Sequence, residues 1–439
     1  MGLCPVWNRH LPHPVNGQYI PRIVDRELDE LLPELPAMAL EGPKAVGKTE
    51  TARRRAKTIH QLDDPAQRTI AEADPARVLS GTPPLLIDEW QRVPAVWDAV
   101  RRAVDQGSPA SQFLLTGSAS PAAAPTHSGA GRIVTLRMRP LSLAERQLDV
   151  ATVSLRDLLA GSRAEVTGRT NVVLETYVDE IVRSGLPGMR AYRGRALRAQ
   201  LEGYLDRIID TDFEEQGLSV RRPETLRRWI AAYAAATATT ASLETIRDAA
   251  TGGQQDKPSR SATQPWRDVL ERLWILDPVP AWLPSQNYLT RLAQLPKHHL
   301  ADPALAAAIL GVDADALLSG AEAGPRIPRS GVLLGRLFES LVTLSLRVYA
   351  QAAEARLRHL RLHGGGQEVD LIVERSDRRI IAVEVKLSRT VDDDDVRHLH
   401  WLREKIDDDL LDAVVINTGP EAYRRKDGIA VIPAALLGP

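Results

Sequence analysis

Apolar positions along this chain change their period twice. In the first third they form short continuous runs: AMAL ahead of Glu41, PPLLI ahead of Asp88 and QFLLT ahead of Gly117. Runs of this length, closed by polar or glycine residues, predict short apolar strands, and the expected fold places them in a parallel sheet. Between about residues 151 and 325 the spacing becomes helical, as in VVLETYVDEIVRSGLPGMR and ALRAQLEGYLDRIIDTDFEE, with Gly and Pro as punctuation. LETIRDAA, the polar stretch TGGQQDKPSRS and ATQPWRDVLERLWILDPVPAW predict helix, turn, helix and a strand-like wing. The turn is longer than that of a standard helix-turn-helix, and Trp266, Trp274 and Trp282 are expected as core anchors.

The C-terminal third brings a long helix and then alternation. Leu334, Leu337, Phe338, Leu341 and Val348 mark one helical face. The stretch QEVDLIVERSDRRIIAVEVKLS then follows a period of two. A hairpin centred on Asp377 sets Asp370 opposite Glu384 and Glu368 opposite Lys386, with Ile381, Val383, Val385 and Leu387 forming the core face. Two directly opposed carboxylates repel unless a cation sits between them, and a divalent metal with Lys386 beside it would serve phosphoester chemistry.

Composition narrows the class. The 439 residues suggest about two to four domains, and 44% hydrophobic with 26% charged residues is the balance of a soluble globular chain. No apolar run approaches a membrane span and the N-terminal residues lack a signal peptide's pattern, so a cytoplasmic protein is expected. The single cysteine, Cys4, excludes internal disulfides. With a net charge of −1, contact with nucleic acid would depend on local basic clusters: residues 53–57, 190–198, 221–228 and 356–361. The acidic run at 392–395 fits the start of a helix.

The most specific pattern is Gly42, Pro43, Lys44, Ala45, Val46, Gly47, Lys48 and Thr49, a phosphate-binding loop between a strand and a helix. These residues and Glu50 are the expected ATP contacts, with Lys48 on the terminal phosphates and Thr49 on magnesium. The Asp88–Glu89 pair ending the second apolar run suits a Walker B role, Asp88 toward magnesium and Glu89 toward the attacking water.

From Tyr19 onward the order of motifs resembles a prokaryotic AAA-type ATPase family with a winged-helix region and a restriction-endonuclease-like domain. The phrases YIPRIVDRELDELL, HSGAGRIVTLRMRPLSLAE, RSGLPGMR and GRLFESLV carry the likeness. The resemblance implies a sensor at Thr116 or Ser118 and an arginine finger at Arg132, which would require an oligomer if it acts in trans. Asp370 and Glu-x-Lys on the next strand are similar to the PD-(D/E)XK superfamily. By that likeness Asp370 and Glu384 are metal ligands, Glu339 an accessory ligand and Lys386 the catalytic lysine.

The expected architecture is an α/β multidomain chain. An AAA-type P-loop ATPase domain would span 1–150, a helical, winged-helix-like domain 151–325 and a nuclease-like α/β domain 326–439. The expected function is ATP hydrolysis coupled to a C-terminal module that binds or cleaves DNA. The alternative is an ATP-dependent switch or scaffold whose nuclease-like domain binds without cleaving. A P-loop kinase fits less well, because the Asp–Glu pair suits water activation.

Overall fold

Five parallel strands build the N-terminal sheet: β1 (Ala37–Glu41), β2 (Thr58–Gln61), β3 (Leu85–Asp88), β4 (Phe113–Gly117) and β5 (Val134–Arg137). Their spatial order is β2-β3-β4-β1-β5. The structure, a computed structural model, describes residues 19–118, 130–161, 164–251, 257–283, 295–319, 331–362 and 366–439. Cys4, part of the loop before Arg132, part of the turn after residue 251 and the boundary expected at 325/326 lie outside the described residues.

The apolar runs are continuous because both faces of this sheet are covered. Ala37, Ala39, Leu85, Ile87, Phe113 and Leu115 pack with Trp90, Val96, Trp97 and Val100 on one side. Met38, Leu40, Leu86 and Leu114 face the main core on the other. Parallel pairing sets Glu41 level with Gly117 and Asp88 level with Thr116, so the ends of β1, β3 and β4 converge on one edge.

The following segment does not stay with the helical region. β6 (Val153–Ser154) pairs with β14 (Leu437–Gly438), and β7 (Gly168–Arg169) pairs with β12 (Glu421–Arg424). The larger sheet also contains β8 (Arg356–Arg361), β9 (Glu368–Glu374), β10 (Ile380–Val385), β11 (Leu410–Asn417) and β13 (Ala430–Pro433). Its order is β7-β12-β13-β11-β10-β9-β8.

Between these sheets lie helices including Leu174–Val182, Gly194–Arg207, Pro223–Ala235, Leu243–Ala249, Arg260–Arg272 and Pro303–Ile309. The two predicted helices are present, and the segment expected as a strand-like wing instead forms a short ribbon of isolated bridges among the described residues. Leu276 bridges Leu300 and Val279 bridges Lys297, and all four are buried with His298 and His299. The ribbon continues onto the edge of the larger sheet, where Ala281 bridges His359 in β8. Trp266 and Trp282 are buried as expected. Trp274 is half-buried, with the Arg137 guanidinium 4.4 Å from its ring centre.

The hairpin register around Asp377 matches the sequence expectation: Glu374 pairs with Ile380, Ile372 with Ala382 and Leu371 with Val383. Continuing that register sets Asp370 opposite Glu384. The expectation of a single core face is corrected, because both faces are buried. Leu371, Val373, Ile381 and Val383 join the main core with the helix Gly331–Ala352. Ile372, Ile380 and Ala382 pack with Val396, Leu399 and Leu402 of the helix Asp393–Ile406. Asp392 caps that second helix by accepting the Asp395 N–H at 3.1 Å, which accounts for part of the acidic run.

One buried carboxylate joins the three regions. Asp277, on the ribbon, meets Arg137 Nη1 at 3.1 Å and Arg139 Nε at 3.0 Å, both from the end of the ATPase sheet. It also pairs with Arg347 of the long C-terminal helix, whose Nη2 donates to the Asp277 carbonyl at 2.8 Å. Burial by itself would raise the Asp277 pKa, yet the three guanidinium groups hold it well below the usual carboxylate range. Replacing the buried Asp277 with Asn leaves three half-buried guanidinium groups without their counter-ion, and a loss of about 3 kcal/mol is expected. Urea unfolding followed by far-UV and tryptophan signals checks this: an unchanged midpoint would contradict the role.

Candidate functional site

The turn from β1 into the helix Lys48–Arg53 requires unusual backbone geometry. Gly42, Ala45 and Gly47 have φ of 156°, 64° and 100°. At Gly42 a Cβ would lie 2.0 Å from the Met138 carbonyl oxygen, so only glycine fits. The neighbouring bond from Met138 N–H to Glu41 O, 2.7 Å, fixes the loop's first residue against the end of β5.

Lys48 is buried and donates to the Gly42 and Pro43 carbonyls at 2.9 and 2.8 Å. Burial pulls its ammonium down to about 8, opposed by Glu89 and Asp88. Thr49 Oγ1 donates to Asp88 Oδ1 at 2.8 Å, and Thr116 donates to the same oxygen. Because β4 lies between β1 and β3, its terminal hydroxyls reach both acidic residues. Ser118 Oγ donates to Glu89 Oε2 at 2.9 Å, and Gln91 Nε2 donates to that oxygen at 2.5 Å. Glu89 itself occupies the left-handed region at φ 56°, which turns the chain sharply after Asp88. Glu50 is exposed on the helix surface.

Arg22, Tyr204 and Asp212, which sequence reasoning did not single out, support this edge. Arg22 is buried and donates to Glu145 Oε1 at 2.9 Å, the Val46 carbonyl at 2.8 Å and the Arg139 carbonyl at 2.6 Å. It thereby fastens the phosphate loop to the segment after β5. Lys44 forms a 2.7 Å ion pair with Asp212, and its carbonyl accepts from the Tyr204 hydroxyl at 3.2 Å. Asp212 closes the π-helical turn Ile208–Asp212, an interruption of the kind often found at functional positions. A surface-like Arg and an Asp in a helical run gave no signal of these partnerships. Gln91, two residues after Glu89, could have been suspected from its position.

Arg132 is not brought to this edge within one chain. It precedes β5, at the opposite end of the parallel strands, where its Nε pairs with Asp105 at 2.8 Å and its side chain is 48% exposed. The five residues of β1 alone separate the two ends by about 13 Å.

A second polar cluster forms at the larger sheet. Asp370 Oδ2 accepts the Val385 N–H at 2.9 Å, while Lys386 Nζ lies 3.2 Å from Glu384 Oε2 and 3.9 Å from Asp395. Glu339 joins from the long helix through a residue the sequence reading overlooked: Lys297 Nζ is 2.8 Å from Glu339, 3.4 Å from Asp370 and 3.6 Å from Glu368. Glu368, expected to face Lys386, therefore meets Lys297 and, at 3.5 Å, Arg361. Burial pushes the Glu339 carboxyl up to about 8. Burial and then Asp370 raise Glu384 well above its ordinary range; for Asp370 burial is outweighed by Lys297 and the Val385 N–H, so the shared proton belongs on Glu384. Among the described residues no group of three or more His, Cys, Asp or Glu is arranged to hold a metal ion.

The basic clusters contain many internal ion pairs. Arg55 binds Asp25 and Asp29 at 2.9 and 2.7 Å, Arg190 binds Glu180 at 2.8 Å and Arg358 binds Glu374 at 2.9 Å. Arg227 bridges Asp206 and Asp210. Among the described residues no helix is long and apolar enough to cross a membrane.

Comparison with known proteins gives three matched regions: an AAA domain over residues 34–147, a domain of unknown function (DUF8612) over 174–316 and a domain of unknown function (DUF4143) over 334–437. Uncharacterised proteins of Mycobacterium tuberculosis and Mycobacterium bovis are each 25% identical over 417 residues, covering 93% of this chain and 82% of theirs. A Walker-type ATPase of Pyrococcus abyssi aligns at 16% identity with a TM-score of 0.38, over 65% of this chain and 94% of that one. The chain thus carries an AAA-type P-loop ATPase domain and two regions that match uncharacterised domains. Gly42→Ala is expected to displace the phosphate loop and abolish binding of a fluorescent ATP analogue, whereas Gly188→Ala, with open space around its Cβ, leaves binding unchanged.

Proposed function

We propose that this protein is an ATP-hydrolysing switch whose nucleotide-binding edge controls the helical and C-terminal regions. The observation that carries the reading is the joint hold on the two acidic residues: Thr49 and Thr116 on Asp88, Ser118 and Gln91 on Glu89. Thr49 and Asp88 offer hydroxyl and carboxylate oxygens, the hard donors that suit magnesium, which would neutralise charge on the phosphate oxygens. Lys48 exchanges its contacts with the Gly42 and Pro43 carbonyls for the terminal phosphates. Glu89, oriented by Ser118 and Gln91, accepts a proton from the attacking water.

The Lys44–Asp212 pair supports transmission to the helical region, since phosphate competes with Asp212 for the same ammonium. Arg132 would stabilise the transition state only for a neighbouring copy, which makes oligomerisation part of that role. The C-terminal sheet then serves as a binding module for a partner, without cleavage. DNA has weaker support as that partner, because so many arginines of the basic clusters are paired internally. The alternative of metal-dependent DNA cleavage is favoured by the register that sets Asp370 opposite Glu384 with Lys386 nearby.

Steady-state phosphate release and nucleotide binding test the engine. Glu89→Gln is expected to retain ATP binding with turnover reduced about 10²- to 10⁴-fold, and Lys48→Ala to lose both. Hydrolysis by Lys48→Ala at the wild-type rate would remove the assignment. For the C-terminal module, wild type with Mg²⁺ or Mn²⁺ is expected to leave linear, circular and single-stranded DNA intact, with or without ATP. Cleavage abolished by both Asp370→Ala and Lys386→Ala would establish the alternative.

A further inference from the structure

The geometry points to Lys297 as a built-in cation that takes the place of a divalent metal among the C-terminal carboxylates. This inference rests on the non-cleaving reading of that sheet and gives it a physical cause. A metal bridging Glu339 and Asp370 must stand within about 2.0–2.6 Å of their oxygens. The Lys297 ammonium occupies the space between those same oxygens, at 2.8 and 3.4 Å, and additionally touches the Asp370 carbonyl at 3.3 Å and Glu368 at 3.6 Å. Two like charges cannot share that space, so metal binding requires the lysine to leave.

The surrounding chain opposes its departure. Lys297 is 1% exposed, and its backbone is bonded to Val279 in both directions, at 2.9 and 2.8 Å. The next two residues are anchored as well: His298 N–H donates to Thr239 O at 2.8 Å, and the His299 carbonyl accepts from Asp277 N–H at 2.9 Å. Withdrawing the side chain would leave the half-buried Glu339 and Asp370 without their cation, which is costly in a partly desolvated site. Each of the four carboxylates has a partner from the chain itself. Glu339 and Asp370 use Lys297, Glu368 uses Lys297 and Arg361, and Glu384 uses Lys386. Glu339 and Asp370, which look like metal ligands in one dimension, thus share a lysine that lies 42 and 73 positions earlier in the chain.

Mn²⁺ binding to the nucleotide-free full chain, read from the free-ion electron paramagnetic resonance signal, tests the inference. Every protein compared carries Asp88→Asn and Glu89→Gln, so that the acidic pair of the ATPase edge is neutral. On this background the unaltered C-terminal cluster is expected to bind no Mn²⁺ below millimolar concentration, and Asp370→Asn to change nothing. Lys297→Met is expected to gain a site at least tenfold tighter, lost again on adding Asp370→Asn. Submillimolar binding with Lys297 intact that disappears in Asp370→Asn would overturn the inference, as would a folded Lys297→Met protein that gains no site. If Lys297→Met does not fold, the comparison with and without Asp370→Asn still decides. Asp370-dependent Mn²⁺ binding with Lys297 intact, without DNA cleavage by wild type, would sink this inference alone, whereas metal-dependent cleavage would sink the non-cleaving reading too.

Discussion

A carboxylate buried among three guanidinium groups is the constraint on which the arrangement of this molecule depends. Asp277 draws Arg137 and Arg139 from the ATPase sheet and Arg347 from the C-terminal helix to one point, and none of these charges has an inexpensive alternative in the interior. Arg139 extends the junction by donating to Gln351, which in turn reaches Glu27. The ribbon that carries Asp277 also carries Lys297 opposite Val279. A short buried element therefore holds a counter-ion for the ATPase sheet and another for the carboxylate cluster. Movement at the end of β5 is mechanically connected to both.

The same strand end supports the phosphate loop. Glu41 and Met138 are bonded, Gly42 lies against the Met138 carbonyl, and Arg22 ties Val46 to Arg139. The loop's shape and the interregional junction consequently share a few residues of backbone. Asp212 approaches the loop from the helical side through Lys44. An ATPase arranged this way can feel its neighbours through the loop itself, without a dedicated lever.

How much was legible in the sequence depended on the range of the interaction. The phosphate loop was readable because its backbone geometry demands glycine at fixed spacing, and the Asp377 hairpin because alternation fixes register. Both faces of that hairpin proved buried, since the covering helix Asp393–Ile406 could not be placed from the strand pattern alone. Lys297 sits in RLAQLPKHHL, where one lysine among polar residues looks like a solvated charge. Its partners lie 42, 71 and 73 residues away, and pattern reasoning has no reach over such separations. Asp277, Arg22 and Asp212 were hidden for the same reason.

The pairing of β6 with β14 has a consequence for the order in which this chain matures on a ribosome. The strands of the ATPase sheet all lie within residues 37–137 and can find one another early. Val153 and Ser154, by contrast, meet Leu437 and Gly438, and Thr152 N–H waits for the Leu436 carbonyl. Synthesis at about 5–20 residues per second leaves this segment without its partner for a substantial part of translation. The first domain's exit from the tunnel is followed by an interval in which apolar Val153, Leu155 and Leu158 have no finished surface to cover them. Formation of this pair thus comes late relative to the ATPase sheet, because its two strands lie far apart in sequence.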